Sequence, residues 1–339
     1  MRGDGLAIGA IGVVLPPRAD ASEAVRQRLA RERDIADQRL VGVTVSDESA
    51  AELGRRAAAL AWSRYAGRQR DTRVAHLLAG NDLPGTPLWS APAWIAQEVI
   101  GPSRTSHVEF TSTVCGSGVH VLAAAARMLR CEPDLDSVLC TVSDVVDPRL
   151  VDRWGFDSGV TLGDGAGAVV LSRSARERRL LCVLERADVS LEAGQRGGRP
   201  PRPGDARPTE PVRTRDLLRD VLASSGTTVA EIVRRHRELL VTTVEDALRE
   251  AGVAHDEVSL WALPFVGHSA AQEGYLRALG IDESRTVWRV GLGTGHLGGA
   301  DTLVALDEIE RHALLGDGEV VVLIGVGSGQ TCSVAVVRW

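Results

Sequence analysis

One order of predicted elements occurs twice along this chain. In the first half a strand runs into the glycine-rich bend "TVCGSG", and a long helix follows with "VHVLAAAARML". In the second half the corresponding bend is "GTGHLGG", and the helix begins "ADTLVALDEIERHALL". Each half then closes on a glycine-rich segment and a strand, "LGDGAGAVVLSR" and "GVGSGQTCSVAVVRW". The repeat predicts an α/β fold of two related halves that face each other, residues 1–175 and 176–339.

The repeat brings Cys115 and His296 to equivalent places, each where a buried helix begins. Unpaired backbone N–H groups and the helix dipole make such a place electropositive, which lowers a thiol pKa and favours a neutral imidazole. We therefore expect Cys115 to act as a nucleophile and His296 as a base in one shared cavity. A spacing of five residues puts Asp301 on a different helix face, so Asp301 can orient His296 only if His296 lies in the preceding bend.

Each of these three residues also has a structural interpretation. A free cysteine is usually a buried core residue. His296 has the alternative of capping or packing against its helix, and the helix dipole alone favours an aspartate such as Asp301 in the first turn. The pairing by the repeat favours catalysis for Cys115 and His296, whereas for Asp301 the two interpretations have similar weight.

The composition excludes several classes of protein. The 339 residues are 44% hydrophobic and 25% charged, and the net charge of −6 argues against a general nucleic-acid binder. The five cysteines form no CxxC pair and leave an odd count, so we expect neither a disulfide framework nor a zinc site. The N-terminal "GLAIGAIGVVLPPR" is typical of a buried strand rather than a signal peptide, and no apolar run is long enough to span a membrane, so we expect a cytoplasmic protein.

Local patterns add expectations about individual segments. The segment "VTLGDGAGAVVLSR" predicts a hairpin with a glycine-rich turn, "RTVWRVG" predicts a strand and "SAAQEGYLRALGI" predicts a helix. Residues 192–216 are dense in proline, glycine and arginine, with almost no large apolar residues, which predicts a loop.

Three motifs in this order resemble the ketosynthase III group of the thiolase superfamily. They are "STVCGSGVHVLAAA", "LGDGAGAVVLSR", which is close to the family's "FGDGAGAVVL", and "GVGSGQTCSVAVVRW". The resemblance implies a thiolase-like fold in a five-layer αβαβα arrangement and a homodimer. It implies further that Cys115 is the acyl-accepting nucleophile. Its own N–H and the N–H groups near Gly327 and Ser328 match the family's oxyanion hole.

The chain departs from the condensing members of this family at two positions. Those members carry a histidine in an "HQAN" segment and an asparagine in the segment that matches "GTGHLGG". Here His296 falls on the asparagine position and Phe265 falls on the histidine position, while His268 matches only with a gap. Trp89 falls near an aromatic residue that the family sends into the neighbouring subunit's acyl pocket, although an ordinary core tryptophan is the alternative. Phe265, His268 and Trp89 are therefore the candidate substrate-binding residues.

The pattern "GHxGxxD" at this place resembles the ketosynthase III-like acyltransferases of secondary metabolism. The resemblance implies a Cys-His-Asp set that transfers an acyl group, such as an aromatic polyketide, from a carrier protein to an oxygen, nitrogen or sulfur acceptor. It implies no cofactor beyond the phosphopantetheine of the acyl carrier protein. Two alternatives stay open: a condensing ketosynthase that uses His268 with His296, and a non-catalytic partner subunit.

The donor expected from the resemblance is an acyl carrier protein rather than coenzyme A. The chain has no counterpart to the early tryptophan segment that stacks on the adenine of coenzyme A in the family. Arginines of the predicted loop have the right charge to meet an acidic carrier protein, although a solvated loop explains them equally well; they are Arg196, Arg199, Arg202 and Arg207.

Overall fold

The computed structural model describes residues 1–3, 5–81, 88–202, 208–328 and 330–339. The strands are β1 Ala7–Val14, β2 Arg18–Asp20, β3 Gly42–Thr44, β4 Val74–Ala79, β5 Thr105–Thr111, β6 Ser137–Asp144, β7 Gly165–Ser172, β8 Arg179–Ala187, β9 Val258–Ala262, β10 Val320–Gly327 and β11 Thr331–Arg338. The helices are α1 Ala21–Arg26, α2 Glu32–Gln38, α3 Ala50–Arg64, α4 Ala91–Val99, α5 Ser117–Cys131, α6 Thr214–Ser225, α7 Val229–Ala251, α8 His268–Ala271, α9 Arg277–Leu279, α10 Gly291–Thr294 and α11 Ala300–Arg311.

Nine strands form two halves with the same strand order. The first half runs β5-β4-β6-β7-β1 and the second runs β9-β10-β11-β8. In the first half β4 is parallel to β6, and the pairs β6-β7 and β7-β1 are antiparallel. In the second half β9 is parallel to β10, and the pairs β10-β11 and β11-β8 are antiparallel. The halves join where Ala7 of β1 pairs with Arg179 of β8. The predicted repeat is therefore present in the strand order.

The two halves of this nine-stranded sheet, called the first and second sheets from here on, enclose a pair of buried helices. Helices α5 and α11 pack on each other and on strands of both sheets. On β7, Val169 and Leu171 face these central helices, whereas Ala168 and Val170 belong to the outer core formed with α3 and α4. The second sheet alternates in the same way, and its outer face is covered by α7, α8 and α9. Successive side chains of a strand point to opposite faces of the sheet. Because helices cover both faces here, each sheet is buried on both sides. The five-layer αβαβα arrangement is confirmed.

The repeat breaks at one edge of the second sheet. The strand predicted from "RTVWRVG" is wrong, because only Thr286 of this segment makes a parallel bridge, to Trp261 of β9. At the equivalent edge of the first half, β5 is a complete strand that pairs with β4. A 3₁₀ turn over Trp288–Val290 and the short helix α10 follow. Trp288 is completely buried, and Gly291 packs closely on Phe265, so the chain bends inward at this edge. This bend delivers the following residues, including His296, to the interior.

Other local predictions have mixed outcomes. The helix predicted from "SAAQEGYLRALGI" is confirmed as α8, a π-helical turn over Gln272–Leu276 and α9. The hairpin predicted from "VTLGDGAGAVVLSR" is wrong, because only Gly165–Ser172 forms a strand. The loop predicted over 192–216 is wrong at both ends, since a 3₁₀ helix covers Val189–Gln195 and α6 begins at Thr214. Arg207 lies outside the described residues. None of the described helices has the length and apolarity to cross a membrane.

Candidate active site

Cys115 lies in a sharp corner between a strand and a helix. A 3₁₀ turn over Val114–Gly116 follows β5 closely and leads directly into α5 at Ser117. Val114 has φ of +55°, which is unusual for a β-branched residue and indicates local strain. Two hydroxyls hold the corner: Ser112 Oγ accepts from the Val114 N–H at 3.0 Å, and Ser117 Oγ accepts from the Thr113 N–H at 3.1 Å. The half-buried thiol therefore stands at the N-terminus of a buried helix.

The end of β10 packs tightly against this corner. A Cβ atom on Gly327 would lie 1.9 Å from the carbonyl oxygen of Thr113, so only glycine fits there. A Cβ atom on Gly116 would in turn lie 3.2 Å from the Gly327 nitrogen. The backbone of Gly327 thus runs beside the corner that carries Cys115, and the oxyanion hole at this place stays a prediction.

His296 and Asp301 form a buried hydrogen-bonded pair. His296 Nδ1 lies 2.5 Å from Asp301 Oδ2, and both side chains are almost completely buried. The same carboxylate accepts the backbone N–H of Phe265 at Oδ2 and that of Leu297 at Oδ1, each at 2.7 Å. His296 lies in the bend before α11, and Asp301 lies in the first turn of that helix. This is the arrangement that an orienting carboxylate requires.

The "LGDGAG" segment holds the backbone of His296. The His296 N–H donates to the Thr161 carbonyl, and the Gly163 N–H donates to the His296 carbonyl, both at 2.9 Å. A Cβ atom on Gly163 would lie 2.0 Å from the Thr294 carbonyl oxygen, so this contact requires glycine. The segment therefore pairs with the histidine bend instead of forming the first arm of a hairpin.

Asp164, in the same segment, ties three loops together around the site. Its carboxylate is completely buried and accepts the backbone N–H groups of Ser46 and Val146 at 2.8 and 2.9 Å. Arg153, which is nine-tenths buried, donates to it at 2.9 Å. A buried carboxylate with these partners is a structural anchor, and its loss would leave a buried guanidinium unpaired.

The electrostatics of His296 differ from the prediction. Burial by itself lowers the pKa of the imidazole, but the negative charges of Asp301 and of a Cys115 thiolate, and the hydrogen bond to Asp301, outweigh burial and raise the pKa well above its usual range. The expected shift toward a neutral ring is therefore wrong, because the negative charge of Asp301 favours the protonated ring. A protonated imidazole next to a thiol stabilises the thiolate, which is the nucleophilic form.

Cys115 and His296 line one cavity of about 310 Å³, together with Gly327 and Ser328. Apolar side chains form the largest group in the rest of the lining: Phe156, Val160, Leu191, Ala193, Leu218, Val221, Ile232, Pro264, Val266 and Val326. In the part of the chain that the structure describes, Asp157 is the only acidic residue of the lining, and no arginine contributes to it.

The three candidate substrate-binding residues lie outside this cavity. Trp89 is 41% exposed and packs on Trp94 at a ring distance of 5.6 Å. The His268 ring lies 5.9 Å from that of Trp288. Phe265 is buried in the central core and contributes its backbone N–H to Asp301. None of these three side chains is therefore among the described residues that line the cavity within one chain.

Two parts of the lining escaped sequence analysis. Tyr275, on the π-helical turn, lines the cavity. It is one of only two tyrosines in the chain, and no sequence motif indicates that it lies near the site. The segment predicted to be a loop also contributes, with Gln195 from the 3₁₀ helix and Leu218 from α6 among the lining residues. Arg196 of this segment is paired with Glu192 at 2.6 Å.

No cluster of three or more metal-ligating side chains occurs among the residues in the described ranges. The chemistry available in the cavity is that of a thiol, an imidazole–carboxylate pair and backbone N–H donors. This set can form and break a thioester.

Comparisons with known proteins identify the family of this chain. Residues 111–188 match the family model of 3-oxoacyl-[acyl-carrier-protein (ACP)] synthase III, and residues 248–339 match the model of its C-terminal part. A beta-ketoacyl-[acyl-carrier-protein] synthase III from Synechocystis sp. is 26% identical over 307 residues, which cover 87% of this chain and 84% of the relative.

Solved structures give the same assignment. ChlB3, described as an acyltransferase, aligns with a TM-score of 0.87 and 28% identity over 98% of this chain and 97% of its own. The 3-oxoacyl-(acyl carrier protein) synthase III of Pseudomonas aeruginosa PAO1 aligns with a TM-score of 0.76 and 18% identity over 98% of each chain, which supports the fold alone. The mixed α/β architecture is thus that of the thiolase-like enzymes. The chain belongs to the ketosynthase III-like group of the thiolase superfamily.

Proposed function

We propose that this protein is an acyltransferase that carries an acyl group as a thioester on Cys115. The observation that carries the proposal is the pairing of His296 Nδ1 with Asp301 at 2.5 Å beside a cavity that Cys115 also lines. This pairing occupies Nδ1 and leaves Nε2 for proton transfer with the thiol or with an acceptor. The similarity to ChlB3, described as an acyltransferase, supports the same conclusion.

In the first half of the reaction, the Cys115 thiolate attacks the thioester carbonyl carbon of an acyl carrier protein. The carbonyl oxygen gains negative charge, and the backbone N–H groups of Cys115 and of the Gly327–Ser328 segment are the proposed donors to it. The carbon–sulfur bond to the carrier then breaks. His296 gives its proton to the leaving phosphopantetheine thiolate, which leaves the ring neutral and the acyl group on Cys115.

In the second half, the neutral His296 takes a proton from the acceptor as the acceptor attacks the Cys115 thioester. The bond to Sγ breaks, so the thiolate and the imidazolium form again and the cycle closes. Asp301 stabilises the imidazolium, and three N–H groups hold its carboxylate in place.

The lining of the cavity supports an uncharged, largely apolar acyl group, such as a small aromatic polyketide. Apolar side chains form the largest group of the lining, and most of its polar side chains are uncharged, among them Gln195, Ser190 and Thr214. A cavity of about 310 Å³ lies at the lower end of the range for small-molecule sites. An anionic acyl group would meet Asp157 and, among the described lining residues, no arginine.

Decarboxylative condensation is the second candidate, because relatives such as the Synechocystis sp. protein are beta-ketoacyl-[acyl-carrier-protein] synthases. Two features weigh against it. Phe265 takes the place of the family histidine, and His268 packs on Trp288 instead of lining the cavity. Release of carbon dioxide from a malonyl thioester would favour condensation over acyl transfer.

A homodimer is part of the proposal. β5 is an edge strand of seven residues with mostly exposed side chains at its centre, and an uncovered edge of that length is a ready surface for pairing. The exposed Trp89 follows β4, the neighbour of β5, so a partner bound there could contact it. Size-exclusion chromatography with light scattering tests this point, and a monomer at all concentrations would contradict it.

The experiment that tests the function is intact-protein mass spectrometry with acetyl-, malonyl- and benzoyl-loaded acyl carrier proteins. We expect the wild type to gain the mass of one uncharged acyl group, and Cys115→Ala to gain none. The matched control is Cys131→Ala, an exposed cysteine at the other end of α5, which should load like the wild type. No adduct on the wild type with any carrier would contradict the proposal and favour a non-catalytic partner subunit.

A further inference from the structure

Tyr275 lines the cavity that Cys115 also lines, and its hydroxyl has no hydrogen-bond partner among the described residues. Its side chain is 7% exposed and lines the same cavity as Cys115 and His296. Across the described parts of the chain, no protein group hydrogen-bonds to this hydroxyl. The other tyrosine, Tyr65, shows the usual arrangement, with its hydroxyl bonded to Ser172 at 2.7 Å and Ser174 at 2.9 Å. A phenol that lines a cavity and has no protein partner among the described residues is available to a ligand.

The backbone around Tyr275 departs from a regular helix. Residues Gln272–Leu276 form a π-helical turn between α8 and α9. Such turns are rare, cost stability and occur often at functional sites, because the extra residue changes the face on which a side chain lies. The turn is therefore a second, independent indication that the position of Tyr275 serves the cavity.

We propose that Tyr275 is a further active-site residue, whose hydroxyl donates a hydrogen bond to the oxygen of a hydroxyl acceptor as it attacks the Cys115 thioester. This inference rests on the proposed acyl transfer and names the class of its acceptor. In the step, the acceptor oxygen bonds to the carbonyl carbon, its proton passes to His296 Nε2, and the carbon–sulfur bond to Cys115 breaks.

A single hydrogen-bond donor, the Tyr275 hydroxyl, favours an acceptor substrate that attacks through oxygen. A hydroxyl oxygen has two lone pairs, so it can accept from Tyr275 with one and attack with the other. A neutral amine has one lone pair, which a hydrogen bond from Tyr275 would occupy. A thiol sulfur is only a weak acceptor and gains little. Among an alcohol, an amine and a thiol, the alcohol is therefore the acceptor that fits the Tyr275 donor best.

Tyr275 acts as a donor and not as a second base. Burial raises the pKa of its phenol, and the negative charge of Asp301 acts in the same direction. The hydroxyl therefore holds its proton more tightly than an exposed phenol does.

The test compares Tyr275→Phe with Tyr65→Phe after loading Cys115 from the benzoyl thioester of N-acetylcysteamine. Mass spectrometry follows loading and then discharge of the acyl group to water, 1-propanol, 1-propylamine and 1-propanethiol. For Tyr275→Phe we expect unchanged loading and a discharge to water and propanol slowed by roughly tenfold or more. Discharge to the amine and the thiol should change little. Tyr65→Phe should react like the wild type at a lower melting temperature, because its hydroxyl bonds are structural.

Two readouts separate this role from a structural one. The melting temperature of Tyr275→Phe should stay at or above that of the wild type, and its slowing should be the same at every pH tested. An unchanged discharge to water and propanol, or an equal loss for all four acceptors, would overturn the inference while leaving acyl transfer intact. A wild type that never loads would overturn both.

Discussion

The Nδ1 atom of His296 and the Oδ2 atom of Asp301 lie 2.5 Å apart inside the core, and the bend that holds the histidine is itself held by the "LGDGAG" segment. The pair is therefore positioned from two sides, by the first turn of α11 and by the backbone of Thr161 and Gly163. This explains how a residue in a loop can be held as firmly as one in a helix.

Asp301→Asn should slow acylation of Cys115 by roughly 10²–10⁴-fold, because an amide cannot balance the charge of the imidazolium. The matched control is Asp307→Asn, a second buried aspartate of α11 that pairs with arginines away from the cavity. It should acylate at close to the wild-type rate. Time-resolved mass spectrometry of the acyl adduct measures both. Equal rates for Asp301→Asn and the wild type would remove Asp301 from the site.

His296 should stabilise the fold more at low pH than at high pH. Its pKa in the folded state is raised above the ordinary value of 6.5, so folding favours the protonated ring. That contribution is fully present below pH 6.5 and is lost as the pH rises through the raised folded-state pKa. Urea denaturation should therefore give a difference in unfolding free energy between the wild type and His296→Asn that shrinks with rising pH.

The control for this pH dependence is His312→Asn, since His312 is half exposed at the far end of α11. Its difference from the wild type should stay small across the range. If the difference for His296→Asn grows with pH instead, the ring is neutral in the folded protein and the assigned electrostatics are wrong.

Gly327→Ala should abolish loading of Cys115 and destabilise the fold by about 1–3 kcal/mol. The new methyl group would lie 1.9 Å from the Thr113 carbonyl and would push the corner that carries Cys115. Gly316→Ala is the comparison, because a Cβ atom there meets only Glu319 at 3.5 Å. Thermal denaturation and adduct mass report the two effects. Normal loading by Gly327→Ala would argue against the proposed oxyanion hole beside this corner.

Asp164→Asn should destabilise the protein by ~3–5 kcal/mol, because it leaves the buried Arg153 without its counter-charge. The exposed pair of Arg33 and Asp37, at 3.5 Å, provides the contrast, and Asp37→Asn should change stability little. Denaturant unfolding of both variants measures the difference. A small effect for Asp164→Asn would mean that the loops around His296 do not depend on this carboxylate.

The sequence contains enough to predict the layers and the central residues of the site. The repeat of bend and helix predicts that Cys115 and His296 lie at equivalent places. The resemblance of three motifs to a known family predicts the five layers. The spacing of His296 and Asp301 predicts that the two can pair only if His296 lies in the bend before the helix. These features are local or periodic, which is why a single sequence carries them.

What the sequence could not predict depends on tertiary contacts. Residues 285–291 have β-branched and aromatic residues typical of a strand, but burial of Trp288 and the packing of Gly291 on Phe265 favour a tight turn. Phe265 was predicted from its family position to contact substrate, whereas its backbone serves Asp301. The approach of Tyr275 to the cavity depends on a π-helical turn, for which the sequence has no signal.

The most direct test of the central claim, that one cavity brings the Cys115 thiol and the His296 imidazole together, is the discharge rate of the acyl-enzyme in His296→Asn. We expect this variant to load Cys115 more slowly than the wild type, because the imidazolium is absent, and once loaded to lose the acyl group to an acceptor roughly 10²–10⁴-fold more slowly than the wild type. Discharge at the wild-type rate would contradict the assignment of His296 as the base and, with it, the proposed mechanism.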